Sequence, residues 1–473
     1  MKNGIISFAF LAFAVFGAQA VTVKSVTANQ DWPWSTDIKV KYVLSDVSDP
    51  VDLTVTAMNG ATALPVPAKA IKGDLYGIVS DKGTLTIDPV AAFGTAQAAL
   101  ADLRIEVSAA ASPANINEAL YKIFDLATGD CTDVTRKDLL NGKWGSVETD
   151  YKAIDQDFTT DAKDVLIWTA VTNDVRYKTT HLVVRKINAA GKVWHSGDTE
   201  GYVKYNMSSS PRSWIKLTYD YYVGVFEVTL EQWKRVFGSY PTDCAKGPEG
   251  SEYLVPANYN YYYHIIGYTM SDYASYNTVV SNEKLYFPNN TYVRDVGKQT
   301  FLSVMWTRTK CEFTLPTQAE WEFASRGGTD ATLYSGESQT SAHVEKLAWT
   351  AADGACLHVV GLKKPNAYGL YDTLGNAMER QLSRGDLNAG ATSGSGETEE
   401  DPAIDPIGSV TTARDQIGPA YGGGSLSDAG QWQDCRSGAR IGWMGYGNAR
   451  KDGGFRVVMP ARADGQWADH PVK

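Results

Sequence analysis

The chain is poor in the residues that most often carry redox and metal chemistry, with five cysteines and six histidines among 473 residues. The cysteines are scattered and show no CxxC spacing, which argues against a zinc site and a disulfide-dense scaffold. The histidines form no HxxxH-type pair. GxSxG, HExxH, Walker A and GxGxxG motifs are missing as well, so the sequence does not support a serine hydrolase, a zinc protease or a nucleotide-binding enzyme.

Clustered positive charge is also missing. The net charge is −10, the sequence pI is about 5.2, and no run of lysines and arginines occurs. Proteins that bind nucleic acid usually carry a basic patch, so we do not expect nucleic acid as a partner. Apolar residues make up 43% of the chain and charged residues 21%, which is typical of globular proteins.

Long apolar runs are confined to the N-terminus. Lys2 is followed by the apolar run Ile5–Phe16 and by the small-residue pattern Ala18-Gln19-Ala20, which is typical of a cleaved signal peptide. We therefore expect residues 1–20 to be removed and the mature chain to be periplasmic, secreted or on the cell surface of a bacterium. The alternative is an uncleaved anchor, although the run is short for a membrane span. No later segment predicts a membrane span in the mature chain.

Residues 21–110 follow a two-residue alternation of apolar and polar side chains. One such set is Ile38, Val40, Tyr42 and Leu44. Half-buried strands separated by turn residues predict an immunoglobulin-like β-sandwich. Residues 111–176 start with small and polar residues and are interpreted as a connecting region. Residues 177–465 form the predicted second domain, so we expect an α+β protein with two domains.

Four motifs follow one another in the second domain: FTLPTQAEWEFASRGG (313–328), PNAYGLYDTLGNAMER (365–380), GGGSLSDAGQWQDCRSGAR (422–440) and GGFRVV (453–458). This series resembles the formylglycine-generating enzyme family, also called sulfatase-modifying factor domains. The resemblance implies a C-type-lectin-like fold with many glycines and little regular secondary structure.

Local capping signals predict two helices in this domain. Thr229 is an expected N-cap. Thr317 and Glu320 form a predicted capping box. Residues 281–314 are interpreted as irregular, and Glu322 is the residue of the first motif that we expect to be available for another role.

The resemblance implies a copper-binding pair of cysteines shortly after the third motif begins, but residues 425–440 contain only Cys435. The oxidase chemistry needs two soft thiolates, so we do not expect copper. Cys435 is interpreted as a packed or disulfide-bonded residue, and a bridge between Cys244 and Cys311 is one pairing that the sequence permits. A second branch of the family uses iron held by three histidines, which the six dispersed histidines do not match.

The GNAMER segment (375–380) stands where the family usually has GNVWEW, and family members bind calcium around it. The resemblance therefore implies a structural calcium site at Asn376 and Glu379, whose oxygen atoms suit a hard cation. The alternative is that Asn376 caps a turn and Glu379 forms a surface ion pair.

Aromatic residues in predicted late loops are candidates for ligand binding. We predict that Trp432, Trp443 and Tyr446, together with Asn448, contact a ligand, because aromatic rings give large contact areas at low entropic cost. In C-type-lectin-like relatives the corresponding loops form the ligand face. The alternative is that many of the aromatic rings fill the core.

Two hypotheses for the function follow. The first is an exported binding module that recognises a glycan or a protein surface. The second is a formylglycine-generating oxidase that modifies a Cys or Ser of a sulfatase through an atypical metal site with Cys435 as its catalytic residue.

Overall fold

The structure, a computed structural model, describes residues 21–94, 103–149, 165–197, 213–260, 262–266, 299–354, 356–382, 391, 393–406, 421–425, 434–438 and 450–462. The chain divides into two units. The first unit comprises residues 1–119 and 135–145, and the second comprises residues 120–134 and 146–473. Among the described residues, no helix is long and apolar enough to cross a membrane.

Two antiparallel sheets build the first unit. Their strands are β1 (Thr22–Gln30), β2 (Ile38–Ser45), β3 (Val51–Asn59), β4 (Thr62–Pro65), β5 (Ile71–Lys72), β6 (Lys82–Ile87) and β7 (Leu103–Ala111). One sheet has the order β1-β2-β6-β5 and the other has the order β4-β3-β7. Apolar side chains from both sheets form one buried cluster, so the unit is a β-sandwich, as its alternating pattern predicts.

Two short helices complete this unit, α1 (Pro89–Phe93) and α2 (Arg136–Leu140). Thr135 caps α2 by accepting a hydrogen bond from the amide of Asp138 at 3.1 Å. Asn141 follows α2, and its Oδ1 accepts hydrogen bonds from the backbone amides of Leu75 and Tyr76 at 2.9 and 3.0 Å. These bonds explain why residues 135–145 belong with the sandwich.

The second unit contains several small sheets. Its strands are β8 (Ala119–Asp125), β9 (Cys131–Thr135), β10 (Val147–Glu148), β11 (Ile167–Trp168), β12 (His181–Ile187), β13 (Val193–His195), β14 (Trp214–Lys216), β15 (Tyr221–Gly224), β16 (Met378–Arg380), β17 (Ala403–Ile404), β18 (Tyr421–Gly422), β19 (Gly453–Gly454) and β20 (Val458–Pro460). The largest sheet has the order β20-β15-β12-β8-β9. Two three-stranded sheets have the orders β13-β14-β17 and β18-β16-β19, and β10 pairs with β11.

The predicted connecting region, residues 111–176, is shared between the two units. Its segment 120–134 supplies β8 and β9 to the largest sheet, where β8 pairs with β12. Segment 135–145 packs with the sandwich. Tyr121 and Phe124 of β8 are buried, so this stretch contributes to the core of the second unit.

The helices of the second unit are α3 (Leu230–Phe237), α4 (Tyr262–Ile266), α5 (Phe301–Thr309), α6 (Gln318–Arg326) and α7 (Ser341–Leu347). Short 3₁₀ turns occupy Ala68–Ala70 in the first unit and Thr169–Thr172, Val175–Lys178 and Ala351–Asp353 in the second. Capping boxes at Thr229 and Thr317 start α3 and α6, which confirms both predicted helix starts.

The prediction that residues 281–314 are irregular was wrong for the part that the structure describes. Helix α5 begins after Thr300, which forms a capping box with Ser303 through bonds of 3.0 and 3.1 Å. Phe301 stacks on Trp233 of α3, with ring centroids 5.6 Å apart. A serine in place of the usual Glu or Gln made this capping box hard to recognise in the sequence.

Candidate functional site

Three of the four motifs meet in the sheet β18-β16-β19. Glu379 of β16 pairs with Gly422 of β18 and with Gly454 of β19. The first motif supplies α6, whose Trp321 ring lies against Gly422: a Cβ atom added at Gly422 would be 2.6 Å from Cζ3 of that ring. The series of motifs therefore describes one packed centre, in which the third motif needs glycine for close approach.

A buried ion pair joins the second and fourth motifs. The Nε of Arg456 donates to Oε2 of Glu379 at 2.6 Å, and both residues are 1% exposed. Trp321 donates its indole Nε1–H to the same carboxylate oxygen at 2.7 Å. Arg456 also donates to the carbonyl oxygens of Gly224 and Tyr371 at 2.9 Å each. The arrangement ties β16 to the largest sheet and to α6.

Two further carboxylates lie beside this pair. Glu227 is buried, and it accepts hydrogen bonds from Nδ2 of Asn376 at 2.9 Å and from the amide of Ala377 at 3.1 Å. Burial, followed by the charges of Asp372 and Glu379, raises the pKa of Glu227 well above its usual range, against the opposing effect of Arg456.

Asp372 has one paired and one unpaired oxygen. Its Oδ2 accepts from the amide of Gly361 at 2.6 Å, while its Oδ1 is buried without a hydrogen-bond partner in the described part of the chain. Burial raises the pKa of Asp372 to about 6, although Gly361, Arg456 and Lys178 act in the opposite direction. Burial also lowers the pKa of Lys178.

The predicted calcium ligands are already engaged with protein groups. Asn376 accepts from the amide of His358 at 3.0 Å through its Oδ1. Both oxygens of Glu379 accept hydrogen bonds from Arg456, and one also from Trp321. Within the described ranges, no group of three or more His, Cys, Asp or Glu residues is placed to hold a metal ion. The ion pair of Glu379 is buried, not on the surface, and calcium at Asn376 and Glu379 stays a prediction.

Glu322 has a structural role. Its Oε1 accepts from the amide of Gly197 at 2.7 Å and from Nη2 of Arg326 at 2.6 Å, and both side chains of the ion pair are buried. The expectation that Glu322 is available for another role was therefore wrong. Its partner Gly197 lies 125 residues away in sequence, and local spacing does not reveal such contacts.

Cys435 lies in an apolar cluster. Cys435 is 1% exposed. It packs with the following residues: Leu333, Tyr334, Val344, Leu347, Ala348 and Leu374. None of the five cysteines is in a disulfide in this structure. The position is consistent with a packing role for Cys435, and the cluster contains no second thiol among its described members.

Three buried side chains in or next to this sheet, Gln381, Thr373 and Tyr421, have polar atoms without hydrogen-bond partners in the described ranges, and we call them the polar edge. Tyr421 pairs with Arg380, so its side chain lies on the opposite face of the sheet from Gln381. Gln381 is 1% exposed, and within the described ranges neither its Nε2 nor its Oε1 has a hydrogen-bond partner. Within the same ranges, the buried hydroxyls of Thr373 and Tyr421 also lack hydrogen-bond partners. A Cβ atom built on Gly422 would be 2.6 Å from Nε2 of Gln381, so the amide lies against the third motif.

Arg380 lies next to this edge and stands where the family usually has a tryptophan. Its guanidinium carbon is 5.1 Å from the centroid of the Tyr421 ring, and its Nη2 donates to the carbonyl oxygen of Asn260 at 3.0 Å. Burial raises the pKa of Tyr421, although Arg380 and Arg450 lower it. The hydroxyl of Tyr421 is therefore a protonated donor at neutral pH.

The residues predicted to bind a ligand, Trp432, Trp443, Tyr446 and Asn448, lie outside the described residues. Four residues of this centre were not predicted from the sequence: Gln381, Asp372, Glu227 and Arg456. For Arg456 and Asp372 a signal existed, because they belong to the fourth and second motifs. Gln381 follows the second motif directly, and Glu227 lies near the Thr229 helix start.

A model of the family described as "Sulfatase-modifying factor enzyme 1-like domain" matches residues 187–461. The chain belongs to this family. The sulfatase-modifying factor domain thus includes α3 to α7 and the sheet β18-β16-β19, while β8, β9, β10 and β11 precede the matched residues. Its membership agrees with the resemblance inferred from the four motifs.

One curated relative is "Chaperone protein LppX" of Paenibacillus barcinonensis, which is 29% identical over 181 residues. The match covers 34% of this chain and 61% of that protein, so the chain spans less than two thirds of its length.

Solved structures to which the chain is similar include "Treponema denticola variable protein 1", with 26% identity and a TM-score of 0.41 over 59% of this chain and 95% of that one. PvdO from Pseudomonas aeruginosa shows 16% identity and a TM-score of 0.41 over 59% and 94%. CarF shows 17% identity and a TM-score of 0.30 over 57% and 98%.

Proposed function

We propose that this sulfatase-modifying factor domain is a binding module for a glycan or a protein surface and that it does not catalyse copper-dependent oxidation. The proposal is supported chiefly by the polar edge, where the buried amide of Gln381 has donors and an acceptor without protein partners in the described chain. A buried polar group without a partner costs about 1–3 kcal/mol. A ligand that offers hydroxyl or amide groups would recover this cost.

The hydroxyl groups of the polar edge would add further hydrogen-bonding capacity. The hydroxyls of Thr373 and Tyr421 can each donate and accept, and the Gln381 amide offers two N–H donors and a carbonyl acceptor. Glycans and exposed peptide backbones present matching groups. Trp443 and Tyr446 would add aromatic surface for stacking on sugar rings or packing on apolar side chains.

The chemistry of Cys435 supports the same conclusion. Copper oxidation in this family needs two thiolates, whereas Cys435 is buried among apolar side chains. An apolar environment also disfavours a thiolate. The residue therefore suits packing better than metal binding.

Binding is tested with glycan arrays and arrays of surface proteins probed with the mature protein. We expect a signal from the wild type that is lost in Trp443→Ala and Tyr446→Ala. Tyr240→Ala is a matched aromatic control, because Tyr240 follows α3 and stacks on Tyr253. A signal that survives both substitutions would contradict the assignment of these residues.

The alternative function, a formylglycine-generating oxidase, is favoured by family membership. It is tested by incubating the protein with copper, oxygen and a peptide that carries a sulfatase motif. Conversion of the peptide cysteine to an aldehyde, lost in Cys435→Ser, would establish the oxidase and overturn the binding proposal. Calcium is tested by chelation: a lower melting temperature that Asn376→Ala abolishes would establish the site.

We further propose export as the location of this function, on the strength of residues 1–20. The check is the N-terminus of the protein recovered from the periplasm or the medium, which should be Val21. Retention of Met1 in a membrane fraction would overturn cleavage.

A further inference from the structure

The turn between β8 and β9 crosses the end of helix α5. Gly129 has a φ of +84°, and a Cβ atom added to it would lie 2.2 Å from the carbonyl oxygen of Arg308 and 3.0 Å from the amide nitrogen of Thr309. The side chain of Arg308 also donates to the carbonyl oxygen of Leu126. The two backbone segments are therefore in direct contact, at a position where only glycine fits.

Each of the crossing segments carries a cysteine two residues further along the chain. Cys131 begins β9, two residues after Gly129, and Cys311 follows Thr309 by two residues. Two residues span at most about 7 Å. The amide of Cys311 donates to Oγ1 of Thr309 at 3.1 Å, which turns the chain back at this point and keeps Cys311 near the crossing.

The Cys131 thiol also responds to the charge of Cys311. Burial is the main cause that raises the pKa of Cys131 to about 11, and Asp133 and Cys311 raise it further, against the effect of Lys122. Both residues are present as thiols in the structure.

We propose that Cys131 and Cys311 form a disulfide that fastens the β8–β9 turn to the end of α5 when the protein meets a small-molecule disulfide such as oxidised glutathione. One thiolate attacks a glutathione sulfur and displaces a glutathione thiolate. The second thiolate attacks the resulting mixed disulfide and displaces the other. Two protein thiols lose two electrons and two protons, and one glutathione disulfide becomes two glutathione thiols.

The pairing differs from the Cys244–Cys311 bridge that the sequence permits. Cys244 follows α3, and burial raises the pKa of its thiol. A bridge from Cys131 to Cys311 would close a loop that includes α3, α4 and α5, and long loops give the largest loss of entropy in the unfolded chain.

The experiment is peptide mapping of the wild-type protein after incubation with oxidised and reduced glutathione, alkylation of remaining thiols, and tryptic digestion without reduction. We expect a cross-linked pair of the peptides 123–136 and 311–326, lighter than their sum by two hydrogen atoms. Reduction should separate the pair. A cross-link between 311–326 and 236–246, or complete alkylation of Cys131 and Cys311 after oxidation, would overturn the proposal.

A second measurement does not depend on the mapping. Oxidation should raise the melting temperature of the wild type by about 5 °C or more. Cys131→Ser should lose this response, while Cys244→Ser should keep it. An equal response in Cys131→Ser would contradict the pairing, and the array experiments on Trp443 and Tyr446 are unaffected by either outcome.

Discussion

Glu379 lies in the second motif and Gln381 directly follows that motif, yet the two side chains meet opposite conditions. Glu379 is saturated by Arg456 and Trp321. Gln381 has a buried amide whose polar atoms find no hydrogen-bond partner in the described ranges. Both are 1% exposed, so burial alone does not separate them. The difference teaches that two neighbouring buried positions can differ fully in pairing, with the charged Glu379 saturated and the neutral Gln381 left with unmet hydrogen-bonding capacity.

The ion pair of Glu379 and Arg456 predicts the largest effect on stability. Glu379→Gln removes the charge that compensates Arg456 and leaves a buried cation, which costs about 3–5 kcal/mol. Denaturant unfolding of the full chain measures the loss as a lower midpoint for the transition of the second unit. Lys346→Ala, which removes an exposed partner of Glu337, is the control and should change stability little. A Glu379→Gln variant as stable as the wild type would show that the ion pair does not stabilise the second unit.

The carboxylates around the pair predict how stability depends on pH. The pKa of Asp372 is raised from 3.8 to about 6, so the folded state holds a proton that the unfolded state releases. The free energy of unfolding therefore falls as pH rises from about 4 to about 6. Above that range the destabilisation amounts to about 3 kcal/mol, since each pKa unit corresponds to about 1.4 kcal/mol.

Asp372→Asn removes this titration and should flatten the stability curve between these pH values. Part of the slope should remain, because burial also raises the pKa of Glu320 to about 7. Denaturant unfolding at several pH values measures both slopes. A variant whose stability falls with pH as steeply as that of the wild type would show that Asp372 is not the group that holds the proton.

The polar edge predicts a smaller effect of the opposite sign. Gln381→Met removes an amide without partners and keeps a similar volume, so the ligand-free protein should be as stable as the wild type or more stable by about 1 kcal/mol. Thermal unfolding without ligand measures the change. A marked loss of stability would mean that the Gln381 amide has a structural partner, and the contrast with Glu379 would disappear.

The smallest effect is expected at the cysteine of the third motif. Cys435→Ala removes one sulfur atom from an apolar cluster and should cost about 1 kcal/mol, with array binding unchanged. Denaturant unfolding measures the loss of stability, and the arrays measure binding. Loss of binding at full stability would place Cys435 in the ligand site, beside the polar edge.

Local signals in the sequence were sufficient for the elements that depend on near neighbours. The alternation along β2 and the capping boxes of α3 and α6 involve residues two or three positions apart, and the structure confirms them. Helix α5 was missed because its capping box uses Ser303.

The centre of the candidate site depends on pairs far apart in sequence. Glu379 and Arg456 are 77 residues apart, and Asn376 and Glu227 are 149 residues apart. The motifs indicated that these segments belong together but not which side chains pair. The same limit applies to Asn376 and Glu379, whose hydrogen bonds and ion pair could not be predicted from the sequence, and the calcium site there stays a prediction.

The most direct test of the account is to compare wild type and Gln381→Met on the glycan and surface-protein arrays, after confirming that both are equally folded. The account predicts a wild-type signal that weakens about tenfold or more in the variant, because the ligand loses hydrogen bonds to the amide. Equal signals from the two proteins, or no wild-type signal on either array, would contradict it.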